Sequence, residues 1–142
     1  MPTSGRREPV LLDTSAAVAF VVADHSHHSA TFAALADRRL GLAGHAAFET
    51  FSVLTRLPTP SRRTADAVTR LFAANFPDTR FLSAKRSEQL LEELAGHGIA
   101  GGSVYDALVG ATAAEHELTL ATRDRRALGT YRELGVDVQL IS

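Results

Sequence analysis

Short unbroken apolar runs alternate along the chain with longer stretches in which apolar residues recur every three or four positions. Val10-Leu11-Leu12 is a run of the kind found in strands covered on both faces, and it ends at Asp13-Thr14-Ser15. Thr14 or Ser15 is placed to N-cap an apolar helix over 16–23. After the polar break Asp24-His25-Ser26-His27-His28, the pattern predicts a helix over 29–37 and a short strand over 40–43 ended by Gly44. A helix over 46–56 is stopped by Leu57-Pro58-Thr59-Pro60, and another over 63–74 is broken by Asn75 and Pro77. Arg80-Phe81-Leu82 reads as a strand, and 87–95 as a helix closed by Gly96 and Gly98. The Gly101-Gly102-Ser103 turn enters a long helix over 104–115, followed by a buried strand over 118–121. Asp124 is placed to N-cap a helix reaching 134, and 136–141 reads as the last strand. Strands alternating with helices predict a three-layer α/β fold around a mostly parallel, five-stranded sheet.

The 142 residues suit one domain. Residues 1–9 are polar, aperiodic and hold two prolines, so they read as a flexible N-terminal extension to a single domain over 10–142. The absence of cysteine excludes a disulfide scaffold and thiolate zinc or iron–sulfur sites, and fits a cytoplasmic protein. A net charge of -1 gives no sign of a bulk nucleic-acid binder. No apolar run approaches the ~18 residues of a membrane span, and no secretory leader pattern opens the chain.

The acids change the picture. Asp13 is the only charged residue between Glu8 and Asp24, Glu49 between Arg39 and Arg56, and Asp106 between Glu93 and Glu115. Three lone carboxylates thus lie in apolar runs that should pack on a sheet, where an uncompensated charge costs several kcal/mol. A divalent cation compensates several acids at once, and carboxylate oxygens suit hard ions such as Mg²⁺ or Mn²⁺. Asp13 closes the first strand and Asp124 follows the fourth, so both fall at the carboxyl ends of parallel strands, where such sheets place their sites. By the same count Asp106 and Glu49 each fall in the first turn of a helix, where the macrodipole favours an anion. Helix capping alone accounts for Asp13 or Asp124 taken singly, and the dipole for Asp106; the joint pattern points to a site.

Other groups carry less. The Asp24–His28 segment has imidazoles but no closed tetrahedral spacing, and reads as a hydrated loop; His45, His97 and His116 read as isolated loop or helix-end residues. Arg56, Arg62, Arg63 and Arg123, with Arg125 and Arg126, flank the predicted mouth and suit phosphate contacts, although a solvated face explains them too. Ser15 stands where a haloacid-type phosphatase needs a second aspartate, and the one lysine, Lys85, lies outside the setting a phosphoacceptor receiver requires.

Leu11-Leu12-Asp13-Thr14-Ser15, Glu49 in an apolar helix, Asp106-Ala107-Leu108 opening a helix and Thr122-Arg123-Asp124 after a strand together resemble the PIN domain. The resemblance runs over about 10–141 and is to VapC-type toxins of bacterial type II toxin–antitoxin pairs, as is that of Phe51-Ser52-Val53-Leu54-Thr55-Arg56-Leu57-Pro58. It implies a metal-dependent endoribonuclease on a five-stranded parallel sheet, usually a homodimer, acting on structured RNA such as tRNA or rRNA and held inactive by a small cognate antitoxin. Asp13, Glu49, Asp106 and Asp124 match the family's acidic positions; Thr14 or Ser15 and Thr122 match polar positions lining its site. The assignment is Asp13 and Asp106 as direct Mg²⁺ (or Mn²⁺) ligands, with Glu49 and Asp124 binding through water or holding a second ion. An inhibitor of such a cluster should insert an arginine or lysine near Asp13 and Asp106. The rival reading is a catalytically inactive PIN-like module that binds RNA or protein.

Overall fold

A computed structural model describes residues 8–142. Residues 1–7 of the expected N-terminal extension lie outside the described residues. The elements are β1 (Val10–Leu12), α1 (Thr14–Val21), α2 (His28–Leu35), β2 (Leu40–Leu42), α3 (His45–Thr55), α4 (Ala65–Asn75), α5 (Ala84–Glu93), α6 (Ser103–Glu115), β3 (Thr119–Thr122), a 3₁₀ turn (Arg125–Ala127), α7 (Leu128–Glu133) and β4 (Val138–Leu140).

The strands form one parallel sheet in the order β2-β1-β3-β4, with Leu12 opposite both Leu42 and Ala121. Alternation along β1 sends Val10 and Leu12 to one face and Leu11 to the other. Val10 and Leu12 pack with Phe20 of α1, Leu35 of α2 and Phe76. Leu11 and Leu120 pack with Val109 and Ala113 of α6 and Tyr131 of α7. Helices therefore cover both faces, which is why the strands read as unbroken apolar runs.

Among the described residues the sheet has four strands, not the five expected. The segment after α4 runs beside β2 but makes only one isolated bridge, Ala43 to Arg80, and Phe81 is exposed. The Leu42 amide donates to the Thr79 hydroxyl at 2.9 Å instead of to a backbone carbonyl, so a side chain interrupts the ladder. Close approach requires Gly41: a Cβ there would lie 2.2 Å from the Asp78 carbonyl oxygen. Two helix starts also differ from expectation. Asp13, not Thr14 or Ser15, caps α1 by accepting from the Ala16 amide. The helix α5 begins at Ala84 because Ser83 caps it while donating its own N–H and hydroxyl to Glu115.

After β2 the chain turns at Gly44, whose φ of +53° favours glycine and whose Cβ position lies 2.7 Å from Thr112 Oγ1 of α6. The turn sets the start of α3 against α6, so the acids of both helices face the same end of the sheet. From β1 the sheet grows one way to β2 and the other way to β3 and β4. The switch point lies at the carboxyl ends of β1 and β3, where open α/β sheets place a crevice.

Candidate active site

A cavity of about 610 Å³ opens at that switch point, lined by Asp13, Thr14, Ser15, Glu49, Ser103, Asp106, Asp124, Arg126 and Tyr131, among others. All four acids singled out from the sequence line it, contributed by the end of β1, α3, α6 and the turn after β3.

Asp13 forms the floor and is 4 % exposed. Its Oδ1 accepts from the Ser15 hydroxyl at 2.6 Å and the Ala16 amide at 3.0 Å; its Oδ2 accepts from the Thr122 hydroxyl and from the Tyr131 hydroxyl at 2.8 Å. Burial pushes its carboxyl above the ordinary range, and these donors oppose the shift. The supporting hydroxyls are themselves held: Ser15 Oγ accepts from the Arg123 amide at 2.9 Å and Thr122 Oγ1 from the Asp124 amide at 3.0 Å. Burial and the neighbouring Asp13 charge push the Tyr131 phenol strongly upward, so it stays a proton donor. Its ring fits because α6 carries Gly110 opposite, where a Cβ would lie 3.0 Å from Tyr131 Cδ1.

The rim is different. Asp106 sits in the first turn of α6, half-buried. Desolvation and then the charges of Asp124, Asp13 and Glu49 raise its pKa, opposed by Arg126. Glu49 lies in the second turn of α3, not the first, because the helix starts at His45. Its Oε1 accepts from the Thr14 hydroxyl at 2.9 Å, and its Oε2 lies 3.8 Å from His45 Nε2. Asp124 caps the 3₁₀ turn through the Arg126 amide at 2.9 Å and lies 3.3 Å from the Arg126 Nε.

Two residues at the site escaped the sequence reading. Tyr131 is separated from Asp13 by 118 positions and looks like any core aromatic. His45, read as isolated, stands one helical turn from Glu49 and is a histidine beside the acids; an i, i+4 count from Glu49 finds it. The arginines are placed unevenly. Arg126 lines the cavity, whereas Arg56, Arg62, Arg63 and Arg123 are outside its lining. Arg56 bonds Ser52, Arg62 and Arg63 bond local carbonyls, and the Arg123 Nε is buried without a partner.

The donor set suits a hard divalent cation: four carboxylates share one cavity, and three of them raise the pKa of the fourth. Among the described residues no three ligands are gathered into a ready-made metal cage. This is compatible with Mg²⁺, which takes one or two carboxylates and keeps several waters.

Comparison with known proteins agrees with this geometry. Residues 10–133 match the PIN domain. The chain is 46 % identical over 132 residues to ribonuclease VapC27 of Mycobacterium tuberculosis, covering 93 % of this chain and 96 % of that protein. Its fold is similar to the crystal structure of M. tuberculosis VapC20, a sarcin-ricin loop cleaving toxin, with a TM-score of 0.66 and 21 % identity over 84 % of this chain and 92 % of that one. It is also similar to VapBC2 from Rickettsia felis, solved bound to a DNA fragment from its promoter, with a TM-score of 0.67 and 15 % identity over 95 % of this chain and 100 % of that one. The chain therefore belongs to the PIN domain family, and within it to the VapC-type proteins.

Proposed function

We propose that the protein is a divalent-metal-dependent endoribonuclease toxin that cleaves structured RNA, tRNA before rRNA, and is neutralised by a small cognate antitoxin. The observation that carries this reading is the cavity at the switch point, where four carboxylates face one arginine. Kinship to a ribonuclease of the VapC type supports it.

Asp13 and Asp106 would hold the ion directly, with Glu49 and Asp124 acting through water or at a second ion. Such an ion, when bound, supplies an activated water and neutralises charge on the phosphate. Ser15, Thr122 and Tyr131 fix the Asp13 carboxylate by donating to it, and Thr14 orients Glu49. Arg126 sits at the lip to position a phosphate; Arg56, Arg62, Arg63 and Arg123 would serve only an RNA path extending past the cavity. Excess negative charge calls for an inhibitor that inserts an arginine or lysine beside Asp13 and Asp106. The active form is proposed to be a cytoplasmic homodimer, and no helix among the described residues is long and apolar enough to cross a membrane.

The test is cleavage of purified tRNA and rRNA with Mg²⁺, Mn²⁺ or excess EDTA, with mapping of the new 5′ ends. Cutting should require the metal and disappear in Asp13→Asn, Glu49→Gln and Asp106→Asn. Full activity in EDTA would remove the metal from the reading. RNA binding without any cutting by the wild type would leave the non-catalytic module.

A further inference from the structure

Five large apolar side chains are exposed among the described residues, and three of them, Phe48 (68 %), Phe81 (54 %) and Tyr105 (51 %), lie on one surface. Tyr105 precedes Asp106 in α6, and its ring stacks on His45 with centroids 5.0 Å apart and an interplanar angle of 20°. Three positions along α3 from His45 is Phe48, whose ring lies 6.2 Å from that of Phe81. The two pairs thus make an aromatic ridge. Its Tyr105–His45 end is joined to the acidic cavity through Asp106 on one side and Glu49, 3.8 Å from His45, on the other.

We propose that the Tyr105–His45 end of this ridge is a nucleobase-stacking subsite, which receives an unpaired base next to the scissile phosphate. The proposal rests on the ribonuclease reading and adds how that site selects its substrate. Aromatic faces stack on any base, so the subsite needs the Tyr105 ring and not its hydroxyl. A chain with a net charge of -1 and one arginine in its cavity lining has little electrostatic hold on a polyanion, so stacking supplies what phosphate contacts do not. The subsite selects bases free to leave their stack, as in loops and bulges of a structured RNA. A protein surface seated on the same ridge is the competing occupant; continuity with the cavity favours the base.

The experiment uses an RNA that the wild type cuts, together with the same RNA carrying an abasic nucleotide on either side of the cut. Tyr105→Ala should raise KM about tenfold with kcat nearly unchanged, and Tyr105→Phe should stay close to wild type. Removing the flanking base should cost the wild type a similar factor and cost Tyr105→Ala nothing further. An unchanged KM in Tyr105→Ala, or losses that multiply independently, would overturn the subsite while leaving the ribonuclease reading intact. Tyrosine fluorescence reports without turnover: the chain has no tryptophan, and its other tyrosine, Tyr131, is buried against Asp13. Single-stranded RNA should quench Tyr105 more than fully paired RNA does, even if no RNA is cut. Equal quenching by both, or a Tyr105→Ala variant that loses only antitoxin affinity, would overturn the proposal.

Discussion

At the floor of the cavity, Asp13 has four hydrogen-bond donors around its two oxygens; at the rim, Asp106 faces three other acids and one arginine. Both carboxyls are raised in pKa and both owe the largest part to desolvation, yet the fold treats them oppositely. The floor is compensated from within, by hydroxyls and an amide that the chain itself positions. At the rim, Asp106 has no hydrogen-bond donor among the described residues, and Arg126 alone opposes the three acids that face it. An acid of the first kind belongs to the fold as much as to the chemistry, while one of the second kind is a standing demand for a cation.

The largest effect should separate these roles. Asp13→Ala strands the buried hydroxyls of Thr122 and Tyr131 and removes the cap of α1, so it should cost at least about 3 kcal/mol in denaturant unfolding even in EDTA. A loss below about 1 kcal/mol would show that the floor is not structurally coupled. Asp106→Asn should do the reverse, remaining at least as stable as wild type in EDTA. Wild type should gain about 2.7 kcal/mol from Mn²⁺ at ~100 times its dissociation constant, and the variant much less. Equal Mn²⁺ shifts would put Asp106 outside the metal site.

The same pair carries a pH signature. Asp106 binds its proton more tightly folded than unfolded, so its stabilising contribution is full below the ordinary value of 3.8 and is lost as pH rises through the folded value. In EDTA the Asp106→Asn advantage should therefore appear toward neutral pH and vanish below about 3.8, as read from melts across pH. An advantage that grows on acidification would show that folding lowers, and does not raise, the proton affinity of Asp106. The smallest change is Tyr131→Phe, which removes one of four donors and should cost about 1 kcal/mol. It also frees a lone pair on Asp13 Oδ2, so the Mn²⁺ shift should be no smaller than in wild type. A reduced shift would make the phenol necessary for metal binding.

The acids were legible in the sequence because a charge in an apolar run is conspicuous: Glu49 and Asp106, at the rim, are separated from other charged residues by long uncharged stretches, and Asp13, at the floor, ends a strand. The floor was only half legible. Thr14, Ser15 and Thr122 adjoin acids in sequence, but the Tyr131 hydroxyl reaches Asp13 through tertiary packing of α7 on α6, which leaves no local pattern. His45 was missed because the apolar pattern starts the helix at 46, whereas the turn at Gly44, with its positive φ, starts it one residue earlier and puts His45 one helical turn from Glu49. The fifth strand was overcounted for a related reason. Arg80-Phe81-Leu82 has strand composition, but the Thr79 hydroxyl takes the ladder position and the chain leaves the sheet at the next bridge.

That truncated pairing has a consequence for self-association. An open sheet invites foreign strands at its edges, and this one has two, β2 and β4. The β2 side is sealed: Leu40 and Leu42 carbonyls are taken by the Asp78 and Arg80 amides, and Gly41 lets that cover lie flat. Misassembly by strand addition is thus confined to β4, a half-exposed three-residue strand too short to template much. A single methyl group at position 41 would push the cover away and turn a closed border into a second open one.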